Sequence, residues 1–205
     1  MNALIFAGGV FDGIPKNVCL SDFSLILAAD KGYSYAASLG IVPHIFVGDC
    51  DSFGDEASIK SAKIVRLQPE KDMTDTQKAI EIAISRGAEK ILVLGALGGR
   101  IDHTLANIQL LKFGLDRGVS ICLADTTNFV TLIKDAIKIP KQDDCCLSLL
   151  PLTPCFHVTV KGVYYPLSNA NMELGSSLGV SNEFTAEEAE ISLKDGLMLV
   201  MVCRK

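Results

Sequence analysis

Two carboxylates stand one residue apart at the end of an apolar run. Asp49 and Asp51 follow Phe46 and Val47 in the segment IFVGDCDS. Residues i and i+2 of a strand point to the same face, so the pair would bring two negative charges into one small volume. Strand chemistry does not require both, and we predict that the pair binds something positive. Such oxygen ligands suit Mg²⁺, which binds through a few carboxylates together with substrate phosphates. The pair therefore points to phosphate chemistry.

A second acidic segment, EKDMTDTQKA, opens a predicted helix. Thr74 and Gln77 have the spacing of a capping box, which places Asp75 in the first helical turn and leaves Asp72 just outside it. Aspartates are also ordinary at helix starts, because they accept hydrogen bonds from the unpaired N–H groups there. The segment is therefore consistent with plain capping or with a second part of the acidic site.

A third motif, GALGGRIDHTL, combines glycines with an arginine. Gly98 and Gly99 would let the backbone come close to a ligand, Arg100 offers a planar fork for phosphate oxygens, and Asp102 can cap the following helix. His103 falls in the first helical turn. The motif is neither the dinucleotide fingerprint nor a Walker loop, and an ordinary glycine turn with a solvated arginine is the alternative.

Alternating elements must position these residues. Strand-like runs are ALIFAGG, LILAAD, HIFVGD, KIVRL, KILVLGA and VSICLAD. Between them, three helical patterns end at Gly40, Gly87 and Gly114. This alternation predicts a parallel sheet with crossover helices, in which ligands bind at the carboxyl ends of the strands. Asp30 falls at such an end, and Asp125 is a weaker addition.

From about Asp143 the pattern changes to closely spaced strands separated by turns. The predicted strands are CCLSLLPLT, FHVTVKG, VYYPL, EAEISL and LMLVMVC. Short strands joined by tight turns predict a small antiparallel β domain.

Composition limits the function classes. The formal net charge of −5 argues against broad attraction to nucleic acid or to anionic membranes. The longest apolar stretches are too short to span a bilayer. Seven cysteines without a secretory leader pattern predict reduced thiols in a cytoplasmic protein.

The ordered motifs resemble those of the thiamine pyrophosphokinase family. They are AD, GDCDS, KDMTD, GGRIDHTLANIQLL, YYPL and GVSNEF. The resemblance implies transfer of the diphosphate group of ATP to the hydroxyl of thiamine, with release of AMP and a requirement for Mg²⁺. It implies an α/β fold, with a Rossmann-like parallel-sheet catalytic domain over residues 1–135 and an antiparallel β-sandwich thiamine-binding domain over 136–205. A homodimer with active sites at its interface is also implied.

The resemblance assigns residues as well. Asp49, Asp51 and Asp75 match metal and catalytic carboxylates, and Arg100 matches a residue that offsets phosphate charge. The substrate-binding positions are Asp30, Asp72, Thr74, Gly98, Gly99 and Asp102 toward the nucleotide, and Ser177, Ser181 and Asn182 toward thiamine. The base that accepts the thiamine hydroxyl proton is Asp75 or Asp51.

Two departures from the family pattern leave questions open. Lys31 stands where many members carry a small residue. Eukaryotic members place a tryptophan against thiamine, but this chain has none, so another residue, such as Tyr33, Tyr164 or Phe184, would have to serve. The alternative functions are another Mg²⁺-dependent phosphoryl or nucleotidyl transferase, or a nucleotide sensor without turnover.

Overall fold

The structure, a computed structural model, describes residues 1–48, 63–66 and 72–205, and Asp49 and Asp51 lie outside these ranges. The chain forms two compact units, Met1–Thr126 and Thr127–Lys205. The division falls one strand earlier than the predicted border between 135 and 136. The reason is that the strand Asn128–Ile133 pairs antiparallel with Met198–Arg204, deep in the second unit.

The first unit is a mixed α/β domain. Its strands are β1 (Asn2–Phe6), β2 (Leu25–Ala29), β3 (Ile45–Gly48), β4 (Lys63–Arg66), β5 (Lys90–Leu94) and β6 (Ser120–Ala124). Its helices are α1 (Gly32–Ser38), α2 (Asp75–Ser85) and α3 (Ile101–Leu115), with a 3₁₀ turn at Leu20–Asp22. The strands lie in the order β6-β5-β1-β2-β3-β4, and all five neighbouring pairs are parallel. The predicted parallel sheet is confirmed, and its order reverses between β1 and β5.

Two of the three predicted helix ends are confirmed. Gly40 and Gly87 adopt the left-handed backbone, with φ of 71° and 85°. The third is wrong, because Gly114 lies inside α3, where an added Cβ would stand 2.4 Å from Ile121 Cδ1. Gly118, with φ of 73°, takes the left-handed position instead. Gly114 allows α3 to pack closely against β6, and the sequence pattern does not distinguish such a glycine from one that ends a helix.

The second unit is antiparallel throughout, as predicted. Its strands are β7 (Asn128–Ile133), β8 (Ala136–Pro140), β9 (Cys145–Pro151), β10 (Cys155–Lys161), β11 (Leu167–Met172), β12 (Asn182–Glu183), β13 (Glu188–Ser192) and β14 (Met198–Arg204). Hydrogen-bonded neighbours among them follow in two strand orders, β12-β9-β14-β7 and β11-β10-β13-β8. The inner faces of both contribute to one hydrophobic core, which includes Leu147, Val200, Val158 and Ile191.

The sequence patterns missed part of this unit. Antiparallel pairing begins at Asn128 rather than near Asp143. VYYPL does not form a strand, and Val163 makes only an isolated bridge to Phe184. The strand starts only at the last residue of that run and covers Leu167–Met172, where polar residues obscure the strand pattern.

Among the described residues, none of the helices is both long enough and apolar enough to cross a membrane.

Candidate active site

The carboxyl ends of β1 and β5 approach each other closely where the strand order reverses. Past the strands, the N–H of Gly9 donates to the carbonyl oxygen of Gly95 at 2.9 Å. A Cβ on Gly9 would stand 2.5 Å from that oxygen, and a Cβ on Gly95 would stand 2.6 Å from the carbonyl oxygen of Ala7. Gly95 also has φ of 71°, which L side chains rarely adopt. Glycine is therefore required at both positions, at the place where open α/β sheets bind ligands.

Asp30 lies at the same edge, directly after β2. Its N–H donates to the carbonyl oxygen of Val47 at 3.0 Å, which ties it to the end of β3. A Cβ on Gly8 would come within 2.8 Å of Asp30 Oδ2, so the carboxylate lies over the backbone that leaves β1. Its φ of 50° is unusual for a residue other than glycine. The structure thus brings Asp30 to the predicted edge in a constrained backbone conformation.

Side chains of α3 hold the glycine loop after β5. Asn107 is buried, and its Nδ2 donates to the carbonyl oxygen of Ala96 at 2.8 Å. The hydroxyl of Thr104 donates to the carbonyl oxygen of Gly98 at 3.2 Å. Gly98 and Gly99 have φ of 77° and 69°, so two consecutive left-handed residues turn the chain into the helix. The two glycines lie where the sequence predicted a close-approach loop.

Sequence reasoning missed both anchoring side chains. Arg100, Thr104 and Asn107 are spaced i, i+4 and i+7, which places them along one helical face. Polar residues along that face were the available signal.

Arg100 is paired with Asp102 at the start of α3. Nε donates to Oδ1 at 3.1 Å, and the second guanidinium contact, to Oδ2, is 2.6 Å long. Asp102 also accepts a hydrogen bond from the N–H of His103, but Arg100 and not Asp102 holds the N-cap position. The Arg100 hydrogen bonds lower the pKa of Asp102, and Asp102 raises the pKa of Arg100. Because both side chains are largely exposed, an incoming anion can compete with Asp102 for the guanidinium.

The acidic helix start forms as predicted. Thr74 is the N-cap of α2, and its hydroxyl oxygen accepts a hydrogen bond from the N–H of Gln77 at 3.2 Å. Asp75 lies in the first turn and is half-buried, whereas Asp72 is exposed. Thr74 thus caps the helix, and its role in nucleotide binding stays a prediction.

The described part of the chain holds no group of three or more Asp, Glu, His or Cys side chains arranged around a metal position. Asp49 and Asp51, which the sequence nominates as ligands, lie outside residues 1–48, 63–66 and 72–205. Asp75 is the predicted metal ligand that the structure does describe.

Two contacts near the same strand ends were missed by sequence reasoning. Asp12 accepts hydrogen bonds from both the N–H and the hydroxyl of Thr126, which follows β6 and Asp125. The hydroxyl of Tyr35 donates to the carbonyl oxygen of Gly9 at 2.6 Å. The two contacts hold the chain between β1 and β2 against this edge of the first unit.

In the second unit, Asn182 is buried and its carboxamide is used on backbone groups. Oδ1 accepts hydrogen bonds from the N–H groups of Tyr165 and Glu183, both at 3.0 Å. Nδ2 donates to the carbonyl oxygen of Tyr165 at 2.8 Å. The Asn182 side chain therefore links the backbone of Tyr165 to that of Glu183 by hydrogen bonds.

Ser181 and Ser177, by contrast, are exposed. Ser181 has φ of 60°, and its N–H donates to the hydroxyl oxygen of the buried Ser148 at 3.0 Å. Because that contact uses the backbone, the Ser181 hydroxyl is presented at the surface beside the Asn182 bridge.

The three candidate aromatic residues differ in exposure. Tyr33 is buried edge-on against Phe46 in the core of the first unit, so its nomination is wrong. Phe184 is half-buried and packs against the core of the second unit. Tyr164 is 63% exposed, and so is its neighbour Tyr165, at 65%, which the sequence reasoning passed over. Their ring centroids are 4.9 Å apart, with an interplanar angle of 82°.

These features define a class: an α/β unit with glycines and aspartates at the candidate ligand-binding edge, followed by an antiparallel unit with exposed tyrosines. Family models agree with that division. The model described as thiamin pyrophosphokinase, catalytic domain, matches residues 17–123. The model described as thiamin pyrophosphokinase, vitamin B1 binding domain, matches residues 134–198.

Individual proteins give the same result. The chain is 31% identical to a thiamine pyrophosphokinase of Bacillus subtilis, with 96% of each chain covered. The crystal structure of thiamine pyrophosphokinase from Bacillus subtilis matches with a TM-score of 0.89 at 29% identity, over the whole of both chains. A thiamin pyrophosphokinase family protein of Enterococcus faecalis matches over the same full extent with a TM-score of 0.90 and 30% identity. The chain belongs to the thiamin pyrophosphokinase family, whose members are enzymes that make thiamine diphosphate from thiamine.

Proposed function

We propose that this enzyme transfers the diphosphate group of ATP to the hydroxyl of thiamine, giving thiamine diphosphate and AMP. One observation carries the proposal: the catalytic-domain model falls within the first structural unit and the vitamin B1 model within the second. A Rossmann-like nucleotide domain and a β-sandwich thiamine domain are the finer fold assignments that accompany it.

Asp49, Asp51 and Asp75 would hold Mg²⁺, with Asp30 and Asp72 lining the same acidic edge. The donor set fits that ion, since hard carboxylate oxygens near a phosphate site are what Mg²⁺ prefers. When bound, Mg²⁺ would offset negative charge on the phosphate oxygens.

Arg100 stabilises charge on the transferred or leaving phosphates. In the structure its guanidinium donates to the Asp102 carboxylate. On phosphate binding, phosphate oxygens would replace the carboxylate oxygens of Asp102 as acceptors. The anchors from Asn107 and Thr104 keep the Gly98–Gly99 loop in place during this exchange. Positioning and charge stabilisation are the main tasks of a protein in phosphoryl-type transfer.

The reaction requires a proton acceptor. The thiamine hydroxyl oxygen attacks the β-phosphorus, the bond from that phosphorus to the α–β bridging oxygen breaks, and AMP leaves with the bond electrons. The hydroxyl proton passes to Asp75 or Asp51. Asp75 is half-buried in the first turn of α2.

Thiamine recognition is assigned to the second unit. Ser177 and Ser181 present hydroxyls at the surface, and Tyr164 and Tyr165 present aromatic faces to a cationic thiazolium. Asn182 then acts as a positioning residue, because its polar atoms are used on the backbone of Tyr165 and Glu183.

A cytoplasmic homodimer with active sites at its interface completes the proposal. Support comes from apolar side chains that the second unit exposes on two segments, namely Tyr164, Tyr165, Leu174, Leu178 and Val180. A contiguous patch of such side chains would mark a surface that another molecule covers.

The test is a product assay with purified protein, thiamine, ATP and Mg²⁺, in which nucleotides and thiamine species are separated by chromatography. AMP and thiamine diphosphate should form in equal amounts, and Asp49→Asn should abolish both. If ATP is consumed with ADP or pyrophosphate as the product and thiamine is unchanged, another transferase reaction is the better assignment. If no substrate is consumed although ATP binds, the chain is a sensor.

A further inference from the structure

Two cysteines lie directly opposite each other on neighbouring strands of the second unit. Cys146 on β9 and Cys203 on β14 are register partners in the antiparallel ladder. Opposed residues of an antiparallel pair point to the same face, with Cβ atoms about 4.5–5.5 Å apart. Both are present as thiols and both are partly exposed. The Cys146 sulfur already lies 3.4 Å from the carbonyl oxygen of Cys203.

The adjacent thiol faces the other way. Cys145 packs against the hydrophobic core of the second unit, as do the register partners Leu147 and Val202. Burial raises the pKa of Cys145, which disfavours its reactive thiolate. Because side chains alternate between the two faces of β9, Cys145 is shielded by the core, whereas Cys146 lies beside Cys203 on the other face.

We infer that Cys146 and Cys203 are a site of reversible oxidation that closes a cross-strand disulfide. In the reaction, the Cys146 thiolate attacks the sulfur of a small-molecule disulfide such as oxidised glutathione, and one glutathione leaves. Cys203 then attacks the Cys146 sulfur and releases the second glutathione. Two cysteine thiols are oxidised, one glutathione disulfide is reduced, and the two thiol protons end on the two glutathiones.

The ladder predicts that this bond is strained. Register partners in an antiparallel ladder alternate between hydrogen-bonded and non-hydrogen-bonded pairs. Leu152 and Leu197 are a hydrogen-bonded pair, because the N–H of Leu152 donates to the carbonyl oxygen of Leu197. Every second pair from there is hydrogen-bonded too, and Cys146 and Cys203 are one of these pairs. Such pairs have Cα atoms about 5.5 Å apart, within the disulfide range, but their Cβ atoms must approach by roughly 1 Å. Strained disulfides are easily reduced, so the bond should form under oxidation and open again in a reducing compartment.

The experiment treats the full-length protein with oxidised glutathione, alkylates the remaining thiols and maps tryptic peptides without reduction. Residues 142–161 carry Cys145, Cys146 and Cys155, whereas residues 195–204 carry Cys203. We expect these two peptides to be linked in the wild-type protein and in Cys145→Ser. The link should be lost in Cys146→Ser and in Cys203→Ser, and dithiothreitol should reverse it.

The exposed Cys19 serves as an internal control for the oxidant. If Cys19 is glutathionylated while both peptides stay unlinked, the inference is overturned. A link that persists in Cys146→Ser but disappears in Cys145→Ser would also overturn it, because the wrong face of β9 would then supply the thiol. Since the measurement is of mass alone, neither result depends on the proposed reaction.

Discussion

The two units position polar side chains in different ways. In the first, parallel strands deliver Asp30, Gly95 and the Gly98–Gly99 loop to one edge because each strand ends there. In the second, antiparallel strands end alternately at both edges, and the residues proposed to bind thiamine lie in and beside the two-residue strand β12. In a parallel sheet, strand ends alone indicate a candidate site, whereas the candidate residues of the antiparallel unit are held by side-chain hydrogen bonds such as those of Asn182.

The largest expected effect tests whether transfer chemistry belongs to the first unit. Arg100→Gln should lower kcat by about 100- to 1,000-fold, because the substitution removes a positive charge that stabilises the negative charge of the phosphates. The exposed side chain contributes little to packing, so the thermal midpoint should hardly change. Steady-state kinetics with ATP and thiamine measure the effect.

Arg117→Gln is the matched control for that substitution. Arg117 follows the other end of α3 and lies over the ring of Phe113. Equal loss of kcat in the two variants would contradict a phosphate role for Arg100.

The next effect tests the close strand contact of the first unit. Gly95→Ala should destabilise the fold by about 3 kcal/mol, since it combines left-handed strain with a clash against the Ala7 carbonyl oxygen. Gly118→Ala has the same backbone strain without neighbours within 4 Å, and should cost only about 1 kcal/mol. Urea unfolding of both proteins separates clash from strain, and equal costs would show that the contact relaxes freely.

A smaller effect addresses thiamine recognition in the second unit. Asn182→Ala leaves the backbone groups of Tyr165 without partners, so KM for thiamine should rise roughly tenfold while KM for ATP is unchanged. The exposed Asn171 of β11 offers a control, and Asn171→Ala should leave both constants as they are. A fall in kcat with unchanged thiamine KM would place Asn182 in the chemistry instead.

The smallest effect concerns the Arg100–Asp102 pair. Because Arg100 lowers the pKa of Asp102 below its ordinary value of 3.8, the pair stabilises the fold above that pH. The contribution is lost as the pH falls through the lowered pKa. Asp102→Asn should therefore differ slightly from wild type at neutral pH, and the difference should vanish in strong acid. Urea unfolding over a pH series checks this, and a difference that grows toward acid would contradict the assigned sign.

Much of the candidate site could be predicted because its signals are local. The Thr74 cap depends on hydrogen bonds within four residues, and the Gly98–Gly99–Arg100 motif follows a strand that hydrophobicity alone reveals. Gly114 was misread because a glycine that ends a helix and one that packs against Ile121 look alike until the partner is known.

The sequence by itself determined the alternation of strands and helices, the acidic and glycine motifs, the change to antiparallel pairing, and the family. These are periodic or short-range properties, set by side-chain spacing and turn chemistry. Only the tertiary structure decided that Asn107 anchors the glycine loop, that Asn182 bridges to Tyr165, that Tyr33 is buried, and that Cys146 faces Cys203. Each of these depends on partners distant in sequence, whose positions are fixed by sheet register and burial.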